Sequence, residues 1–142
     1  KGQSHEKKVL KHNIWRVEVE KEEFVEARTR LDKTQKEMSQ LLGVSVKAMY
    51  SYEQGWRSIP THVERQVFFL LSRKKGGQEL PKHCWVVKKC PPKRRKECPA
   101  YEYNTGRLCW LVNGTICEGK PQKNWKEKMK ICRECEVILD LL

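Results

Sequence analysis

All seven cysteines of this chain fall between Cys84 and Cys135, and the first 83 residues hold none. The odd number, and the polar, charged run from Lys1 to Lys11 where a secretory signal would be apolar, argue against an extracellular disulfide scaffold. Clustered thiols in a reducing compartment more often bind metal, so a cytoplasmic, metal-binding unit is expected. The 60 residues from His83 onward carry few aliphatic side chains. A unit that small buries too little apolar surface to be stable alone, and coordination bonds are expected to supplement it.

Charge is the second constraint. Thirty Lys and Arg against 18 Asp and Glu give a formal net charge of +12 on 142 residues. Such an excess favours a polyanionic partner. It is spread over both parts, with 16 basic and 10 acidic residues up to Lys75 and 14 and 8 after it. No apolar run approaches the roughly 18–20 residues of a membrane span, which excludes a transmembrane reading. Lys74-Lys75-Gly76-Gly77-Gln78-Glu79-Leu80-Pro81 has little to bury, and its glycines and proline break a helix. The expected organisation is an arm (1–20), a helical domain (21–75), a linker (76–82) and a Cys-rich domain (83–142).

The helical domain reads as four short helices. Phe24, Ala27, Arg28 and Leu31 follow helical spacing, with Val25 alongside. Thr34 and Glu37 form a capping box ahead of Met38, Leu41 and Leu42, and Gly43 is placed to end that helix. Ser45 caps the third helix, which carries Val46, Met49 and either Tyr50 or Tyr52 and ends at Gly55. Pro60, Thr61 and Glu64 open a fourth, with Val67, Phe68, Leu70 and Leu71. Phe24, Leu31, Leu41 and Met49 are expected in the core, and Trp56 is expected to pack. Alternating Trp15, Val17 and Val19 suggest a short strand or ordered arm.

The run Leu31-x-x-Thr34-Gln35-x-Glu37-Met38-x-x-Leu41-Leu42-Gly43-Val44-Ser45, continued by Tyr52-Glu53-Gln54-Gly55 and Ile59-Pro60, resembles the XRE (phage repressor and Cro type) DNA-binding domain. The resemblance implies a helix-turn-helix bundle whose second motif helix, Val46 to Glu53, lies in the major groove. Val46, Lys47 and Ser51 are then its outward positions. Lys47 suits guanine O6 or N7, Ser51 either kind of base edge, and Val46 a thymine methyl. Phage repressors often carry an amide where this chain has Val46. Thr34 and Gln35 at a helix N-terminus, with Lys36, Ser45 and Arg57, are the expected remaining DNA contacts. Glu53 is expected to pair internally with Arg28. A homodimer on a double-stranded palindrome follows from the small half-site, with the apolar run Phe68 to Leu71 offering a spare face.

The cysteine spacing is Cys84-x5-Cys90-x7-Cys98-x10-Cys109-x7-Cys117-x14-Cys132-x2-Cys135. Only the last pair has the CxxC spacing that brings two thiolates to one ion. Proline follows Cys90 and Cys98 directly, as it does many iron–sulfur ligands. Cys84-Trp85 and Cys109-Trp110 recur 25 residues apart. With Cys98-Pro99-Ala100-Tyr101 and Gly114-Thr115-Ile116-Cys117, they give this part a resemblance to a small Cys-rich module named for two Cys-Trp pairs, which is attached to helix-turn-helix or sensor proteins of anaerobic bacteria. That resemblance implies a metal- or cluster-binding accessory unit.

All seven cysteines are candidate ligands. Cys98, Cys117, Cys132 and Cys135 come first, ahead of Cys84, Cys90 and Cys109. The expected cofactor is an iron–sulfur cluster, with zinc, or disulfides or free thiols, as alternatives. His83 is expected to be an exposed histidine. One helix, within Gln122 to Arg133, is expected to carry Trp125, Met129 and Cys132 on one face. The chain as a whole is therefore expected to be mainly α, with a helix-turn-helix bundle followed by an irregular Cys-rich unit stabilised by metal. Its expected role is sequence-specific transcription regulation, with the cluster sensing redox state or oxygen. A thiol–disulfide enzyme using Cys132 and Cys135 lacks a thioredoxin-like context. A protein-interaction scaffold leaves the basic charge without a purpose.

Overall fold

The computed structural model describes residues 18–74 and 82–139, and the chain is mainly helical and divides into two compact units. Most of the expected arm, Trp15 and Val17 included, lies outside the described residues, as does the expected linker apart from Lys82. No described helix is long and apolar enough to cross a membrane.

The N-terminal unit contains α1 (Lys21–Arg30), α2 (Gln35–Leu42), α3 (Val46–Gln54) and α4 (Thr61–Lys74). Thr34 starts α2: its hydroxyl accepts the Glu37 N–H, and its own N–H donates to Glu37 Oε2 at 2.8 Å. These bonds satisfy amides that the first helical turn would otherwise leave without partners. Gly43 ends α2 in the left-handed region at φ 67°, where a Cβ would be strained. Two residues later the Ser45 hydroxyl accepts the Ala48 N–H and starts α3. Two caps and one glycine thus turn the chain sharply between α2 and α3.

Phe24, Ala27, Leu31, Met38, Leu42, Met49, Tyr52, Val63, Val67, Phe68 and Leu71 are buried in this unit. Each large apolar side chain there contributes roughly 1.5–3 kcal/mol. Tyr52 is the inward tyrosine of α3, edge-on to Phe24 with ring centroids 5.8 Å apart, and Tyr50 faces outward. Leu41 departs from expectation and is 48% exposed. α2 buries Met38, Ser39 and Leu42, which turns Leu41 to the outer side, while the Ser39 hydroxyl donates to the Lys36 carbonyl and needs no other partner. Glu64 does more than open a helix. It is buried and accepts the N–H of buried Val19 at 2.8 Å, which fixes the chain entering α1.

The C-terminal unit contains α5 (Cys84–Val87), α6 (Pro92–Glu97), α7 (Pro99–Glu102), a 3-10 turn (Cys109–Leu111), the strands β1 (Ile116–Cys117) and β2 (Lys120–Pro121), α8 (Trp125–Cys132) and α9 (Glu136–Leu139). The strands pair antiparallel, Cys117 opposite Lys120, around Glu118 and Gly119, both with positive φ. That backbone gives a two-residue hairpin the twist its strands require. Asn124 caps α8 by accepting the Glu127 N–H. The core consists of Trp110 and Trp125, edge to face at 6.5 Å, with Ala100, Met129, Val137, Ile138 and the buried cysteines Cys98, Cys109, Cys132 and Cys135. Thiols therefore occupy positions that aliphatic side chains fill in a larger domain.

Candidate functional site

In the N-terminal unit the outer face of α3 consists of Val46, Lys47, Tyr50 and Gln54, all exposed. Their spacing of one, four and eight residues defines one helical stripe. Thr34 and Lys36 at the start of α2 are exposed, as are Ser45 and Arg57, while Gln35 is half-buried. Beneath this surface lies a polar clamp. Arg28 Nε pairs with Glu53 Oε1, and Arg28 also donates to the Lys33 carbonyl at 2.9 Å. The Gln35 amide donates to Glu53 Oε2. One carboxylate therefore ties α1, the first turn of α2 and the end of α3 together.

Ser51 is a correction. It is buried, and its hydroxyl donates to the Lys47 carbonyl at 2.9 Å. With Ala48, Met49 and Tyr52 forming the inner face of α3, position 51 lies on their side of the helix. Gln35 is corrected in part, since its amide is held by Glu53 inside the clamp. Trp56 does not pack into the core: it is 70% exposed and meets the Tyr50 ring edge-on at 5.4 Å. The guanidinium of Arg57 lies 5.8 Å from the centroid of the Tyr52 ring. The four-residue interval from Val46 to Tyr50 to Gln54 was the sequence signal for this outer stripe.

In the C-terminal unit Cys84, Cys90, Cys98 and Cys117 line one cavity of about 110 Å³. Four separate pieces of chain supply them. Cys84 is the first residue of α5, Cys90 follows that helix, Cys98 joins α6 to α7, and Cys117 lies in β1. Two hydrogen bonds to backbone carbonyls fix the loops: Cys84 N–H donates to the Gly106 carbonyl at 2.7 Å, and the Arg95 side-chain Nε to the Cys90 carbonyl at 3.0 Å. The Ile116 N–H points at the Cys98 sulfur at 3.4 Å. Amide donors to sulfur tune sulfur-bound metals. Trp85, Lys88, Arg94 and Arg95 complete part of the wall, so the surroundings are basic and partly aromatic.

Trp85 stacks on His83 at 4.4 Å and meets Tyr101 edge-on at 5.0 Å. His83 is accordingly half-buried rather than exposed, with Nδ1 enclosed. Gly106 makes this packing possible, because a Cβ there would come within 2.5 Å of Trp85 and 2.7 Å of His83.

The thiols differ in their electrostatics. Cys109 donates to Cys84, which holds Cys84 below the ordinary thiol value and raises Cys109. Burial raises Cys90 and Cys117, and pushes Cys132 up to about 12. Cys132 and Cys135 are buried in the core and do not line the cavity. Among the described residues no three His, Cys, Asp or Glu side chains sit together as a single-ion site does. A tetrahedral ion holds thiolates only about 3.8 Å apart, given Zn–S bonds near 2.3 Å. A cluster of several irons takes its thiolates at separate corners.

The residue that sequence reasoning passed over is Lys128. It is 0% exposed, and its ammonium donates to Thr115 Oγ1. It falls three residues after Trp125 and four before Cys132, on the apolar face of α8. A lysine at an inward position of that face was the signal.

Comparison with family models, with characterised proteins and with solved structures gives no match to this chain.

Proposed function

We propose that this chain is a sequence-specific DNA-binding transcription regulator whose Cys-rich unit binds an iron–sulfur cluster and responds to redox state. The outer stripe of α3 carries the reading. It presents an apolar side chain, a cation, a phenol and an amide in a row, on a helix clamped against its partner α2. A helix so presented fits a major groove, where those groups meet a thymine methyl, guanine acceptors and the remaining base edges. Thr34, Lys36, Ser45 and Arg57 flank it as phosphate contacts. The +12 charge supplies the sequence-independent attraction. The XRE-type resemblance of Leu31 to Pro60 leads to the same reading. Partly exposed Phe69 and Leu70 on α4 offer an apolar surface for a homodimer on two half-sites.

The cavity supports the second half of the reading. Four cysteines around about 110 Å³, two of them followed by proline and one receiving a backbone N–H, form a donor set for a cluster. Bound there, the cluster would supply one-electron redox chemistry. The chain's own residues orient the sulfurs and exclude water with Trp85. The test is the DNA affinity of anaerobically purified protein, measured before and after oxidation alongside its absorbance and metal content. The expected result is a brown protein containing iron and sulfide whose affinity changes at least tenfold on oxidation. A colourless protein with stoichiometric zinc and redox-independent affinity would contradict it.

A further inference from the structure

Lys128 is fully buried in the Cys-rich unit. A lysine is almost never fully buried without a charged partner, because removing an ammonium from water is expensive. Among the described residues no carboxylate pairs with it, and its one hydrogen bond goes to the neutral hydroxyl of Thr115. That hydroxyl is on the cavity wall and also accepts from Cys117 Sγ at 3.9 Å. The ammonium is thus directed at sulfur, with Thr115 between it and the cavity.

We propose that Lys128 is the buried counter-cation of a net-negative, thiolate-bound centre held by Cys84, Cys90, Cys98 and Cys117. This inference rests on the cluster reading above. Four thiolates outweigh the positive charge of the metal core they bind, so the loaded centre is anionic. Burying that anion without compensation is unfavourable, and so is burying the ammonium. Each offsets the cost of the other once both are present. In the protein without metal, Lys128 is a liability that the fold tolerates. With metal it is the complementary charge. Lys128 is a positioning residue in this account, since it acts through Thr115 and the local field without ligating the centre.

The two states therefore respond to one substitution with opposite sign. The test uses the full chain, reconstituted anaerobically with iron and sulfide, and reads both iron affinity and thermal unfolding of the metal-free form. Lys128→Met is expected to melt no lower than the native sequence when metal-free, and to bind iron at least tenfold more weakly. Lys128→Arg, which keeps the charge, is expected to load within about threefold of the native sequence. Unchanged loading in Lys128→Met would overturn the inference. Equal loss in both variants, or a metal-free Lys128→Met that is less stable than the native chain, would reduce Lys128 to a packing residue and overturn it as well. Failure of the native sequence to take up iron would instead remove the cluster reading, and this inference with it.

Discussion

Glu53 of α3 accepts from Arg28 of α1 on both carboxylate oxygens and from Gln35 of α2 on Oε2. The carboxylate is largely buried, so removing it strands a guanidinium and an amide together. Glu53→Ala is expected to cost about 2–3 kcal/mol, the upper part of the range for hydrogen bonds to charged groups. Urea unfolding of the variant measures this directly. DNA affinity should fall with it, because the clamp sets the angle between α2 and α3.

Lys47 and Ser51 should separate cleanly in a DNA-binding assay. Lys47→Ala is expected to lose about 1–3 kcal/mol of affinity for the preferred sequence, as loss of a base contact does. Ser51→Ala, whose hydroxyl is already spent on the Lys47 carbonyl, should change affinity by less than about threefold. Tyr50→Ala should weaken binding more than Ser51→Ala. The reverse order would place the groove-facing side of α3 elsewhere.

The capping box of α2 predicts an acid-sensitive helix. The Thr34 N–H holds the Glu37 carboxyl below its ordinary value of 4.5. A depressed carboxyl pKa contributes stability above its unfolded value, and the contribution is lost as pH falls through the folded one. Stability should therefore drop below about pH 4.5 in the native sequence and less so in Glu37→Gln. Thr34→Ala, which removes the other half of the cap, should cost about 1 kcal/mol at neutral pH. Helical circular dichroism against pH and urea checks both.

The thiols of the Cys-rich unit predict the opposite dependence. Burial raises Cys132 to about 12, and hydrogen bonding with burial raises Cys109. A raised thiol pKa gives stability that is complete below the unfolded value, near 9, and is lost as pH climbs toward the folded one. Metal-free protein should keep the near-ultraviolet signal of Trp110 and Trp125 at pH 7 and lose it progressively above about pH 9. The loaded form should instead fail in acid, where protons compete for thiolates. Loss of signal in the metal-free form on the acid side alone would contradict this.

Local chemistry made the N-terminal unit legible. Thr34, Glu37, Gly43, Ser45 and Gly55 each act on the few residues beside them, and their caps and turns lie where those residue types place them. Rotation about a helix axis was harder to read. Leu41 and Ser51 were misplaced because an apolar or polar side chain one step off the core stripe obeys packing against other helices, which periodicity over eight or nine residues defines poorly. In the Cys-rich unit, spacing between cysteines carries no information about which loops meet. The hairpin at Glu118-Gly119, the cavity and the burial of Lys128 all depend on contacts between distant segments. His83 was misjudged for the same reason: its stacking on Trp85 depends on the close approach of Gly106.

Salt-dependent binding to duplexes selected from a random pool tests the central claim most directly. The expected result is an enriched sequence, bound more tightly than bulk DNA by at least about 10³-fold, with affinity falling steeply and log-linearly as salt rises. Loss of that preference is expected in Lys47→Ala. A pool that emerges unenriched, with binding indifferent to salt and to Lys47, would contradict it.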